Sequence, residues 1–103
     1  MKTNYDSATG VYKINLGGQF DFESHQAFRA ALKEAVGNKA KQVEIDFGAV
    51  EYIDSSALGM LMLARKETED MDCTIELVNV HGYVQKVLAM VKFDKMFNIK
   101  TTS

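Results

Sequence analysis

Hydrophobic residues in this chain change their spacing from every second position to every third or fourth and back, and they do so three times over. In "VYKINLGG", Tyr12, Ile14 and Leu16 alternate with Val11, Lys13 and Asn15, the period of a half-buried strand, and the residues around Tyr5 to Ser7 supply a short first strand to pair with it. From Asp21 onward, Phe28, Ala31, Leu32, Ala35 and Val36 recur at helical steps until "GNK", where Gly37 is the expected stop. "QVEIDF" returns to period two, a helix is expected from about Ser56 to Met71, "CTIELVNV" reads as a strand, and Val84, Val87, Leu88 and Val91 line one face of a third helix. "MFNIKT" closes the chain as a short strand or a helical turn. The order β-β-α-β-α-β-α-β excludes an all-helical bundle and a β-sandwich. Strands joined through helices run parallel, and their crossovers are right-handed. The expected fold is therefore α/β, a single domain over residues 1–103. Its sheet is mixed but mostly parallel, with an N-terminal β-hairpin and helices packed against it.

Nothing divides that domain. The 103 residues contain no proline, no low-complexity tract and no visible repeat, and a chain of this length buries roughly 60–70% of its unfolded surface. Cys73 stands alone and has no partner for a disulfide, which fits a reducing compartment. The opening "MKTNYDSATG" lacks the apolar core of a signal peptide, and no window reaches the ~20 apolar residues of a membrane span, so a cytoplasmic location without a membrane partner is expected. Twelve basic and fourteen acidic residues leave a formal charge of -2, with no basic block or stripe, which argues against nucleic acid as a partner.

The usual catalytic constellations are missing. "DSSALG" lacks the glycine-flanked elbow that exposes a serine nucleophile, and His25 and His81 sit in no catalytic signature; both read as surface or helix-terminal histidines. One cysteine and two distant histidines provide no zinc-like ligand spacing, so no metal is expected. "LGGQF" matches neither phosphate-cradling glycine pattern, no cofactor is implied, and Gly17 and Gly18 read as residues that let the chain turn. Asp46 and Glu51 read as loop-end or solvated carboxylates.

"EYIDSSALGMLML" is less ordinary. Serine and aspartate are good helix N-caps, because their oxygens accept the unpaired amide hydrogens of the first turn. One such oxygen is enough, yet Asp54, Ser55 and Ser56 follow in succession, and no Glu or Gln completes a capping box. Capping and modification of a hydroxyl both remain open on this ground. In the following helix Leu58, Leu61, Met62 and Arg65 mark one stripe, while Met60 and Leu63 fall outside it. These two either form an exposed apolar patch or pack against a neighbouring helix.

With "IDSSALG" between a strand and a helix, "GQFD" at Gly18 to Asp21, and the tail "GYVQKVLAMVKFDKMFNI", the sequence resembles the STAS domain, and within it the stand-alone anti-sigma factor antagonists of bacteria, over nearly its whole length. The resemblance implies that Ser55, directly after the aspartate, is phosphorylated by a partner serine kinase and restored by a serine phosphatase. It implies that an anti-sigma factor or related regulator docks on a surface containing Asp21, Asp54, Ser55, Ser56 and Ala57, to which the apolar patch read from the helix pattern adds Met60 and Leu63. Asp21 matches an aspartate that supports kinase recognition, and as an N-cap of the first helix it could do both. Ala57 replaces the family's usual glycine, and its methyl group is expected to bear on partner fit. The implied protein is a kinase substrate rather than an enzyme, and the alternative it leaves is a constitutive STAS subunit bound to a transporter ATPase.

Overall fold

The computed structural model describes residues 1–102. Among them are five strands, β1 (Lys2–Asp6), β2 (Val11–Asn15), β3 (Gln42–Asp46), β4 (Thr74–Val80) and β5 (Asn98–Thr101), and three α-helices, α1 (His25–Gly37), α2 (Ser55–Glu69) and α3 (Gly82–Met90). They form one sheet in the order β1-β2-β3-β4-β5. β1 and β2 are antiparallel, and every later neighbour is parallel. The hairpin between the first two strands closes on Gly10, whose N–H donates to Asp6 O at 2.8 Å with φ +78°.

Strands that follow each other both in sequence and in space, joined by right-handed crossovers, put all their connecting helices on the same side of the sheet. The burial pattern agrees with this. In register across the sheet, Tyr12 pairs with Val43 and Ile14 with Ile45, which in turn pairs with Leu77, and all of these are buried. They meet Phe28, Leu32 and Ala35 of α1, Ala57, Met60, Leu61 and Ala64 of α2, and Val84 and Leu88 of α3. The opposite face carries the row Lys13, Glu44 and Glu76, and Lys100 Nζ lies 3.3 Å from Glu76 Oε1 there. Period two in the strands thus reflects a sheet covered on one face only.

Element ends differ from the sequence expectation in four places, the first being β1, which runs Lys2–Asp6 and leaves Ser7 in the turn. Asp21 caps a short 3-10 turn, Phe22–Ser24, and α1 begins only at His25. Gly37 is the last residue of α1 rather than its stop; the chain leaves the helix through Asn38 and a left-handed Lys39 at φ +55°. α2 starts at Ser55, one residue before the expected start, and ends at Glu69, after which Asp72 takes φ +53°. "MFNIKT" contributes a strand, β5, and the 3-10 turn lies just before it at Phe93–Lys95. Thr68 is buried among apolar neighbours and satisfied within its own helix, donating to Ala64 O at 2.9 Å.

Tyr12 is fully buried, and its hydroxyl has no hydrogen-bond partner among the described residues. Burial pushes its phenol above the ordinary value of 10.0, with the nearby Glu34 charge adding to the rise. A raised pKa means the folded state holds the proton more tightly than the unfolded chain. The stability this contributes is complete below pH 10.0 and is lost as pH rises through the folded-state value. Tyr12→Phe removes an unpaired polar atom and keeps the ring. Urea melts should show unchanged stability at pH 7 or a gain of up to about 1 kcal/mol, and a smaller loss than wild type above pH 10.0.

Candidate functional site

Two loops meet at the carboxyl end of the parallel strands. One leaves β2 through Gly17, whose φ of +74° turns the chain and whose N–H donates to Asn15 Oδ1 at 3.0 Å. The other leaves β3, where Asp46 Oδ1 accepts from Gly48 N at 2.8 Å and from Asn79 Nδ2 at 3.1 Å. An isolated parallel bridge between Phe20 and Ile53 joins the two. Phe20 is buried with its ring 5.2 Å from Phe28 and 5.9 Å, edge-on, from Phe47, so one aromatic side chain ties both loops and α1 to the core. In the register of that bridge Asp21 lies beside Asp54.

Each aspartate serves as a cap. Asp21 Oδ1 accepts from Glu23 N at 3.0 Å, Gln19 Nε2 donates to both its oxygens at 2.8 and 3.1 Å, and its own N–H donates to Ser24 Oγ at 3.3 Å. Asp54, extended at φ -106°, accepts from Ala57 N through Oδ1 at 2.9 Å and caps α2. The cap is therefore the carboxylate, and neither serine hydroxyl is used for it. Ser55 is the first residue of α2 and exposed, while Ser56 is half-buried.

Two residues expected in the docking surface do not reach it. Ala57 is completely buried, so its methyl group faces the core instead of a partner, and Met60 is 3% exposed, packed under α2. The core stripe of α2 is Ala57, Met60, Leu61, Ala64 and Thr68, not the expected Leu58, Leu61, Met62 and Arg65, and Met62 is exposed. Leu63 is half-buried at the margin. The outward stripe is Ser55, Gly59, Met62 and Lys66.

Sequence reasoning missed three exposed aromatics. Phe22, beside Asp21, is 72% exposed; Tyr52 and Tyr83 are 63% and 54% exposed and stack with centroids 5.9 Å apart and planes 3° from parallel. Tyr52 could have been found: in an extended stretch, Ile53 pointing inward sends its neighbour outward. Tyr83 reaches it only through the tertiary fold. His81 Nε2 lies 3.0 Å from Gly48 O and links the loop after β3 to the start of α3, and His25 is exposed at the start of α1. Among the described residues no cluster of three or more His, Cys, Asp or Glu could hold a metal ion, and no helix is long and apolar enough to cross a membrane.

A five-stranded sheet of this topology, with a capped helix start carrying an exposed serine at its carboxyl end, defines a STAS-type domain. The chain belongs to the STAS-domain family: the family model described as "Mlab, STAS domain" matches residues 3–99. A STAS-domain-containing protein of Pseudomonas aeruginosa is 40% identical over 86 residues, 84% of each chain. Among solved structures, an anti-sigma factor antagonist from Mycobacterium paratuberculosis superposes with a TM-score of 0.81 at 21% identity, covering 98% of this chain and 86% of that one. The Bacillus cell fate determinant SpoIIAA in its phosphorylated form gives 0.73 at 18% identity, covering 99% and 92%. These two show a shared fold.

If the Asp54 carboxylate is the cap, Asp54→Ala should cost about 1 kcal/mol of stability in thermal or urea melts, while Ser55→Ala and Ser56→Ala should each change it by under about 0.5 kcal/mol.

Proposed function

We propose that this protein is a phosphorylation-switched anti-sigma factor antagonist. It binds an anti-sigma factor or related regulator while Ser55 is bare and releases or exchanges it when a partner serine kinase phosphorylates Ser55; a serine phosphatase resets the switch. The observation that carries this reading is the division of labour at the start of α2, where Asp54 caps the helix and leaves an exposed hydroxyl without that duty. ATP, magnesium and the base that takes the serine proton belong to the kinase, so this chain acts as substrate and needs no catalytic group of its own.

The docking surface in this reading comprises Asp21, Asp54, Ser55, the exposed part of Ser56 and the margin at Leu63, with Ala57 and Met60 supporting it from beneath. Phosphate adds about -1.5 to -2 charges. The helix N-terminus favours an anion by only ~0.3–1 kcal/mol, and its Ala57 amide is already taken by Asp54. Like unit charges about 5 Å apart repel by roughly 1 kcal/mol in water and about 3 kcal/mol at an effective dielectric near 20. Asp54, the preceding residue, adds to the repulsion that turns a phosphate on Ser55 outward, into the volume a docked regulator needs. Its bulk and hydration displace the regulator without unfolding the domain. Against a partner carboxylate facing Ser55, the same repulsion of about 3 kcal/mol becomes a binding penalty of more than a hundredfold in affinity.

Phosphosite mapping from cells with and without the cognate kinase and phosphatase tests this. Phosphate is expected on Ser55, lost in Ser55→Ala. In pull-downs Ser55→Ala should hold the regulator constitutively and Ser55→Glu should lose it. Equal binding by the two variants, or stable copurification with a transporter ATPase and no phosphoserine in cells, overturns the switch in favour of a constitutive subunit.

A further inference from the structure

The charges of this domain are unevenly placed. The stretches that build the carboxyl end of the sheet, residues 15–25, 46–56 and 78–85, hold Asp21, Glu23, Asp46, Glu51 and Asp54 and contain no lysine or arginine. All twelve basic residues lie elsewhere in the chain. On this acidic end stands the Tyr52–Tyr83 stack, two parallel rings that remain more than half exposed although they cover each other on one side. Glu51 immediately precedes Tyr52, and a notch of about 220 Å³ is lined by Glu51, His81, Gly82 and Tyr83.

An exposed aromatic pair in an acidic field suits one kind of side chain. The flat, weakly hydrated guanidinium of arginine stacks on an aromatic face and at the same time presents forked donors to a carboxylate, whereas the compact, strongly hydrated lysine ammonium stacks less well. Of the charged groups near the ledge, Glu51 favours a cation, whereas the exposed Lys86, one turn after Tyr83 on α3, opposes one at the far edge of that ring. His81 Nε2 lies 3.0 Å from the Gly48 carbonyl oxygen. The amino end of α3 is positive, and with no side-chain cap at His81 it lies against the notch, which Glu51 also lines; a cation is therefore better placed on the outer ring faces, at the rim of the notch, than inside it.

We propose that Tyr52 and Tyr83, with Glu51, form an arginine-binding ledge that extends the docking surface from the start of α2 onto α3, and that the protein partner presents an arginine-bearing segment there. The proposal rests on the reading of this end of the domain as a docking surface, and it adds the partner's chemistry and its second point of attachment. It does not depend on Ser55 being modified.

The test uses the full chain and three blocked pentapeptides, acetyl-Gly-Gly-X-Gly-Gly-amide, with X as arginine, lysine or citrulline, titrated at millimolar concentration and followed by NMR. Expected are saturable shifts of the Tyr52 and Tyr83 ring signals and upfield ring-current shifts of the arginine side chain. Lysine should bind more weakly and citrulline not at all. Tyr83→Ala, an exposed helical position, should weaken arginine binding about two- to fivefold, Glu51→Gln should weaken it also, and Asp94→Asn, outside the acidic end, should leave it unchanged. Equal affinity for arginine and lysine with no effect of Tyr83→Ala would reduce the ledge to general acidic attraction and overturn the proposal, as would an absence of shifts at the tyrosines. Phosphosite mapping reads the switch and this titration reads the ledge, so either can fail alone.

Discussion

One short parallel bridge, Phe20 to Ile53, organises everything at the working end of this domain. Two loops that leave neighbouring strands would otherwise be free to splay. Phe20, gripped between Phe28 and Phe47, fixes the first loop, and the backbone pairing fixes the second against it. Burying a phenyl ring of this size is worth roughly 1.5–3 kcal/mol, with up to about 1.5 kcal/mol more for each favourable ring pair, far above a single exposed hydrogen bond. The polar residues of the site thus inherit their positions from an apolar pin. Asp21 and Asp54 are neighbours because the residues just before each of them are paired and buried.

The second constraint is a matter of supply and demand for hydrogen bonds at a helix start. A helix leaves its first amides unpaired, and whichever oxygen takes them is held in place. Asp54 does this for α2, and Asp21 does it for the 3-10 turn before α1. Both carboxylates are therefore held as caps, and the hydroxyl of Ser55 is left at the surface next to Asp54 in the chain. That division leaves the Ser55 hydroxyl outside the hydrogen bonds that hold the helix start.

The two faces and two ends of the sheet have different tasks. One face carries the whole core, the other remains polar with the row Lys13, Glu44 and Glu76. The carboxyl end of the parallel strands is acidic and bears exposed aromatics, which is where open α/β sheets place their recognition surfaces. Basic residues are spread over the remaining surface, so a formal charge near zero conceals a polarised molecule.

Hydrophobic period alone determined the class of fold, because a strand covered on one face must alternate and a helix lying on a sheet must repeat at three and four. The order of elements, the parallel sheet and the position of Asp-Ser-Ser at a helix start all followed from it. Helix ends and rotation did not. Asp54 reaching the Ala57 amide sets Ser55 as the first residue of α2, and packing against the sheet turns Ala57 and Met60 into the core. Nor could linear sequence disclose that Tyr83 meets Tyr52, since the pair exists only after β4 is laid beside β3 and α3 begins next to the loop. Local periodicity is written in the chain because each residue's neighbours along it set the pattern; the composition of a surface is decided by tertiary structure, because only packing brings distant residues side by side.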